Sequence, residues 1–396
     1  MADNGNRDLF VHGGRLVTTG GVEAGDVWIE GGRIRACGKD IPPPAGVDRV
    51  DATGLLVFPG LIDPQVHFRE PGLTHKEDVA SGSLCALAGG VTAFMEMPNT
   101  NPTTTEPARL VDKLDRARGR AWADHAFFLG ATAENADELG EWEQAPGCAG
   151  VKVFMGSSTG TLLVADDPTL ERVLRSGSRR VAVHSEDEER LKARYAEVEP
   201  GSKVRIHPDV RDVETAVKAT TRLLDLVEKT RRKIHLLHVS TAEEIELLRE
   251  RGLGDLVTAE VTPNHLFLTA PECYERYGSL VQMNPPVRDL RHRDTIRGAL
   301  VDGTLTCIGS DHAPHTLAEK ARPYPASPSG IPGVQTILPL LLTACREGWL
   351  GLEDVVRVTG EGPRRAYGIA NKGRIEVGAD GDLVLVDPEV REPLAL

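Results

Sequence analysis

Short, nearly continuous apolar runs alternate with longer amphipathic stretches between about residue 60 and residue 311. The runs read as strands at LIDPQVH (61–67), VTAFMEM (91–97), HAFFLGA (125–131), GVKVFM (150–155), RVAVHS (180–185), KIHLLHVS (233–240), LVTAEVT (256–262) and TLTCIGSD (304–311). Apolar residues without strict alternation mark strands covered on both faces, as in a parallel sheet. Between them TEPARLVDKLDRAR (105–118), DVETAVKATTRLLDLVEKT (212–230) and TAEEIELLRERG (241–252) carry a helical period. Eight strands alternating with helices predict an α/β fold, the closed parallel (β/α)8 or TIM barrel. A doubly wound open sheet is the competitor. No Gly-x-Gly-x-x-Gly opens a helix after the first strand, which weighs against it.

The two ends have another texture. LFVHGGRLVTTGG, DVWIEGGRIRACG and DATGLLVFPG alternate β-formers with glycine, and KGRIEVGADGDLVLVD near the other end does the same. Residues 1–57 and 368–396 are therefore expected to form one small β-sandwich unit, with the barrel (58–367) inserted between them. The sequence stops at VREPLAL, so this unit is expected to lack its last strands.

Charge and composition narrow the functional classes. The 396 residues hold 46 Lys+Arg and 59 Asp+Glu, a net charge of −13, which argues against a nucleic acid as main partner. No apolar run is long enough for a membrane span, and MADNGNRDLF does not read as a secretory signal. The six cysteines are scattered without a CxxC pair, which suggests reduced thiols of a cytoplasmic protein.

Polar groups fall at the ends of the apolar runs: His67, His184, His238 and Asp311, with Lys152 inside the fourth. In a barrel the carboxyl ends of all strands meet on one face, so these distant residues would converge. Imidazoles and a carboxylate suit a borderline divalent cation such as zinc. One His at a strand end is ordinarily a satisfied polar residue, and Asp311 alone would be an N-cap; the repetition points to a site. Lys152 either snorkels to the rim or is buried; burial would leave some neutral amine, able to add CO2 as a carbamate. GSSTG (156–160) matches the nucleophile elbow, with Ser158 as nucleophile, but TLLVADDP follows it where the motif needs a helix. No P-loop is present. Arg69, Asn99 and His315 surround the presumed site and together can hold a substrate carboxylate. The alternative for Arg69 is a structural pair with Glu70 or Asp78.

These motifs resemble the dihydroorotase branch of the amidohydrolase superfamily, close to its bacterial type I enzymes. The likeness runs through GLIDPQVHFREPG (60–72), GGVTAFMEMPNTNP (89–102), GVKVFMGSS, VHSE, HVST, MNPPVR (283–288), GSDHAPH (309–315), SGIPGVQTILPLLL (329–342) and NKGRIEVGADGDLVLVD (371–387). The resemblance implies reversible hydrolysis of a cyclic amide, dihydroorotate to N-carbamoyl-L-aspartate, in the cytoplasm. It implies zinc held by His67, His184, His238, Asp311 and Lys152, the last as N6-carboxylysine. Asp311 would be the catalytic acid–base. Arg69, Asn99 and His315 would hold the carboxylate, and Asn284 with Gly330, Ile331, Pro332 and Gly333 would contact the ring. The sequence departs from the family's His-x-His motif, because Gln65 occupies the first position. One firm zinc and a weaker or absent second are expected. Two rivals follow: a catalytically impaired scaffold for aspartate transcarbamoylase, and a hydantoinase- or allantoinase-type amidase. A homo-oligomer is compatible with either.

Overall fold

The computed structural model describes residues 8–158 and 162–391. It groups into two compact units, Met1–Ile62 with Leu341–Leu396, and Asp63–Leu340.

The strands of both chain ends join in one six-stranded mixed sheet. These are β1 (Leu9–Thr18), β2 (Gly21–Glu30), β3 (Arg33–Gly38), β4 (Asp48–Asp51), β5 (Leu56–Pro59) and, from the far end, Leu383–Val386, which pairs antiparallel with β5. β4 and β5 run parallel to successive halves of β1, and β2 and β3 complete an antiparallel meander. Val11, Val27, Ile29, Ile34, Val57 and Ile375 pack a core against it. Of the terminal expectations, residues 1–7 and 392–396 lie outside the described residues.

The barrel strands follow in chain order: β6 (Leu61–Val66), β7 (Val91–Glu96), β8 (Asp124–Gly130), β9 (Cys148–Phe154), β10 (Val181–His184), β11 (Ile234–Leu236), β12 (Val257–Val261) and β13 (Cys307–Ile308). They form an eight-stranded sheet in that spatial order. Its registered neighbours pair in parallel, for example β9 with β10 through Lys152 and Ala182. A parallel bridge from Val66 to His312 and the bond from His67 N–H to His312 O bring its two edges together. The expected eight-strand barrel is thus the observed fold. Strands such as β6 and β10 are buried along their whole length, which is why they lack alternation.

Helices return the chain between strands. Val213–Thr230 buries Ala216, Ala219, Leu223, Leu224 and Val227 along one stripe, and Asp212 caps its start by accepting from Thr215 N–H. The helix expected at 241–252 spans Ala242–Arg251 and is capped by Thr241. No helix of the described residues is long and apolar enough to cross a membrane, and all six cysteines are free thiols.

Candidate active site

The carboxyl ends of the barrel strands supply most of the residues singled out above. Gln65, His67, Lys152, His184, His238, Asn284, Asp311 and Gly330 line one cavity, together with Ser158 and Ser329. His184 is the last residue of β10 and His67 the first after β6. His238 and Asp311 lie beyond the ends of β11 and β13, in loops and not on the strands where the apolar runs put them. The reason is local. Arg69, His238 and Asp311 have φ of 66°, 38° and 48°, the left-handed region that side chains with a Cβ disfavour. Such conformations concentrate where surrounding structure fixes a residue for function.

Two pairs of donor atoms face each other. His67 donates from Nδ1 to Asn99 Oδ1 at 2.7 Å, so its Nε2 lone pair points at Asp311 Oδ1, 3.1 Å away. Burial pulls the His67 pKa down, favouring the neutral ring. Gln65 donates from Nε2 to the same Asp311 oxygen at 3.0 Å, while its Oε1 is buried without a partner. Across the site, His184 Nδ1 lies 3.1 Å from His238 Nε2. Glu186 faces the other His184 nitrogen at 2.9 Å and is itself gripped by Arg211 at 3.1 Å. Burial works to raise the Glu186 pKa, but Arg211 and His184 outweigh it and hold the carboxyl below the usual range. His238 is driven well below the ordinary histidine pKa by burial, then by His184 and Lys152. The result is a group of imidazoles that burial favours as neutral, with His67 and His184 oriented by second partners, Asn99 and Glu186, the arrangement that tunes metal ligands.

Lys152 does not snorkel. It is 1% exposed, and its Nζ stands 4.3 Å from the Phe154 ring centre. Among the described residues no hydrogen bond or ion pair takes that Nζ. Burial pulls its pKa down to about 7, against the opposing pull of Asp311 and Glu260.

Arg69 is 2% exposed, and neither suggested acid meets it. Glu70 pairs with Arg120 at 2.7 Å, and Asp78 caps the helix Val79–Ala88. Among the described residues Arg69 has no carboxylate partner. Its Nε donates to Pro314 O at 3.0 Å and its Nη2 lies 3.2 Å from His315 Nε2. His315 Nδ1 accepts from Lys76 at 3.1 Å, so its proton sits on Nε2 and serves Ser329 O at 3.0 Å. Burial, then Arg69, Lys76 and Lys320, push the His315 pKa down to about 3. The guanidinium Nη2 therefore faces an N–H and gains no acceptor from His315.

The ring-facing segments are also held. Asn284 Oδ1 lies 3.1 Å from His207 Nε2, and its Nδ2 donates to Ser158 Oγ at 3.3 Å. Ser158 is thus paired with an amide, and the next helix begins at Asp167, so it lacks the setting of a nucleophile elbow; Thr159 and Gly160 of that motif lie outside the described residues. Gly330 sits at φ +148°, where an added Cβ would fall 2.9 Å from the His315 ring and into Ala313 O. Ile331 bridges His312, and Gly333 N–H donates to His312 Nδ1 at 3.0 Å, while Glu77 accepts from His312 Nε2 at 2.8 Å.

No motif flags one further group. His235, Glu260 and Cys307, from β11, β12 and β13, are buried with donor atoms within 4.8 Å of one another, a set whose chemistry can hold a metal ion. His235 Nε2 lies 3.0 Å from Glu260 Oε2 and 3.8 Å from Cys307 Sγ. Burial raises the Glu260 pKa, and His235 Nδ1 meets Thr258 Oγ1 at 2.7 Å. A protonated Glu260 therefore completes a neutral hydrogen-bond chain as well.

Comparison with known proteins agrees with this architecture. A model of the amidohydrolase family matches residues 56–395. A dihydroorotase of Methanosarcina acetivorans is 35% identical over 98% of this chain and 85% of its own. A dihydroorotase of Halobacterium salinarum is 37% identical over 92% and 84%, and an allantoinase of Solibacter usitatus 36% over 98% and 86%. The solved L-hydantoinase of Arthrobacter aurescens superposes with a TM-score of 0.89 at 28% identity, covering 95% of this chain and 86% of that one. The chain belongs to the amidohydrolase family, in the group that holds the dihydroorotases, allantoinases and hydantoinases.

Proposed function

We propose that this protein is a zinc-dependent dihydroorotase, converting (S)-dihydroorotate and water reversibly to N-carbamoyl-L-aspartate for pyrimidine synthesis in the cytoplasm. The observation that carries the choice of substrate is Arg69, a buried guanidinium with no carboxylate partner among the described residues. A buried unpaired cation is costly, and a carboxylate on the substrate supplies its partner in bidentate form. Hydantoin, dihydrouracil and allantoin rings carry no such group.

The donor set fits a metal. Ring and carboxylate atoms that lie 3.1 Å apart, in both pairs, match the ~3.0–3.5 Å edge between two ligands each ~2.1 Å from a shared zinc. His67, His184, His238 and Asp311 would hold it, with Lys152 joining as a carbamate. Addition of CO2 to a neutral amine forms the N–C bond and releases one proton, and the buried Lys152 amine is suited to it. Bound there, zinc supplies Lewis acidity and a water that ionises near neutral pH. Asp311 takes the proton of the attacking water and returns it to the leaving ring nitrogen. Arg69 grips the carboxylate, with Asn99 and His315 beside it, and Asn284 and the Gly330–Gly333 loop orient the ring.

The allantoinase relative keeps a cyclic amidase of uncharged rings as the second reading. Gln65 keeps the scaffold of aspartate transcarbamoylase as the third. One set of assays separates them: zinc content, and turnover of dihydroorotate, hydantoin and allantoin by the purified protein. Zinc with turnover of dihydroorotate alone is expected. Turnover of the uncharged rings in preference overturns the substrate. A metal-free, inactive protein that co-purifies with the transcarbamoylase overturns the activity.

A further inference from the structure

We infer that Lys320 is a positioning residue that ties the Asn284 segment and the Ser329–Gly330 segment into one substrate-facing unit. It closes the short helix Leu317–Lys320, which follows His315 and is capped by Thr316. The side chain is 4% exposed and has no carboxylate partner among the described residues. All three ammonium hydrogens instead reach main-chain oxygens: Gln282 O at 3.1 Å, Pro328 O at 3.0 Å and Gly330 O at 2.9 Å. Gln282 reinforces the tie. Its carbonyl also accepts from Gly330 N–H at 2.8 Å, and its side chain donates to Ser327 O at 2.9 Å and accepts from Ser327 Oγ at 2.6 Å.

The chemistry explains the choice of lysine. Three carbonyls converging in a buried place need a compact triple donor, which an ammonium is and a planar guanidinium is not. Two residues past Gln282 stands Asn284, and Ser329 and Gly330 line the cavity. Ser329 O also receives the His315 proton. Loss of the ammonium would take its donor from Pro328 O and Gly330 O and leave Gln282 O with Gly330 N–H alone, loosening the two segments and shifting Asn284 and the wall beside His315 without touching the metal-ligand group. Ground-state binding of the ring should suffer, and the acid–base step should not. The inference rests on the reading of this cavity as the substrate site.

The test is steady-state kinetics of Lys320→Met, which keeps the volume and removes the donors, with Lys320→Arg as the partial rescue. Lys320→Met should raise KM about 10- to 100-fold, as expected when a substrate contact is displaced by a fraction of an ångström. Its kcat and zinc content should stay near wild type, its melting temperature should fall because buried carbonyls lose their donor, and Lys320→Arg should recover part of the KM. Unchanged KM, or a loss of kcat equal to that of kcat/KM, overturns the assignment. Should Lys320→Met fail to fold, Lys320→Gln decides, because its amide offers two donors at most to the three carbonyls, with the same two outcomes. If wild-type protein hydrolyses hydantoin and not dihydroorotate, the substrate reading fails. The same KM-against-kcat comparison on hydantoin still judges Lys320.

Discussion

The imidazole group and the cationic group around Arg69 handle buried charge in opposite ways. In the first, burial favours the neutral form of His67, His184 and His238, and their ring nitrogens lie close to other possible ligand atoms. In the second, Arg69 is buried with cationic neighbours Lys76 and Lys320 influencing the same His315, and no acid among the described residues pairs with it. Elsewhere buried cations meet an acid, as Lys113 meets Glu96 at 2.9 Å and Arg211 meets Glu186, or are filled by main-chain oxygens, as Arg288 is. Arg69 differs in that its Nη2 faces an N–H. One group is complementary to a cation and the other to an anion, so a ring that carries both a carbonyl to be polarised and a carboxylate to be gripped spans the two.

The largest effect should follow from breaking the first group at its acid–base member. Asp311→Asn keeps an oxygen toward Gln65 but cannot take a proton, so kcat on dihydroorotate should fall about 10²–10⁴-fold. Zinc content by mass spectrometry should be retained. Rates like wild type would remove Asp311 from its role. Breaking the second group should be nearly as severe but selective. Arg69→Ala should cost about 2–5 kcal/mol in kcat/KM for dihydroorotate, because the carboxylate would be buried without a partner. Any residual turnover of hydantoin should be unaffected. Equal losses on both substrates would mean that Arg69 shapes the site and does not read the carboxylate.

Much of this comparison was legible in the sequence, and the illegible part has physical causes. The barrel strands stood out because strands buried on both faces are nearly all apolar. His67, His184, His238 and Asp311 stood out because each interrupts that pattern at its end. Sequence could not say that Arg69 lacks an acid, since Glu70 and Asp78 were both within reach; only the fold sends Glu70 to Arg120. Nor could it choose between a buried and a snorkelling Lys152, which depends on which face of β9 looks inward. The left-handed turns at His238 and Asp311 carry no glycine to announce them. His235, Glu260 and Cys307 meet only through the register of three strands, and Lys320 finds its three carbonyls only through loops whose paths no periodicity encodes.

The neutral histidines also tie the comparison to pH. Burial pushes His315 to about 3, and burial with Arg211 does the same for His207. Both pKa values lie below that of an unfolded histidine, so the unfolded chain binds more protons as pH falls. The stability from these two sites is thus fully present above about pH 6.5 and is lost on acidification toward 3. Each should cost about 2 kcal/mol between pH 7 and pH 5. Melting temperatures across that range should fall, and His207→Gln should flatten the slope. A pH-independent melting temperature would mean that neither ring is held neutral.

The gentlest change sharpens the asymmetry within the imidazole group itself. His184 and His238 offer two imidazoles to one side, whereas the other side has His67 and, through Asp311, the amide of Gln65, whose Oε1 is buried without a hydrogen-bond partner. An amide oxygen binds zinc more weakly than imidazole does. Gln65→His supplies a nitrogen at that position, at the expense of the bond that Gln65 Nε2 donates to Asp311. Zinc per chain should rise from about one toward two, because the added donor favours a second ion. The change in kcat should stay within about tenfold, since Asp311 and the Lys152–His184–His238 group are already present. Metal analysis after dialysis against a weak chelator makes the measurement. Two tightly held ions in the unsubstituted protein, with no gain in the variant, would show that the amide serves as well as the ring and that the two sides of the group are equivalent.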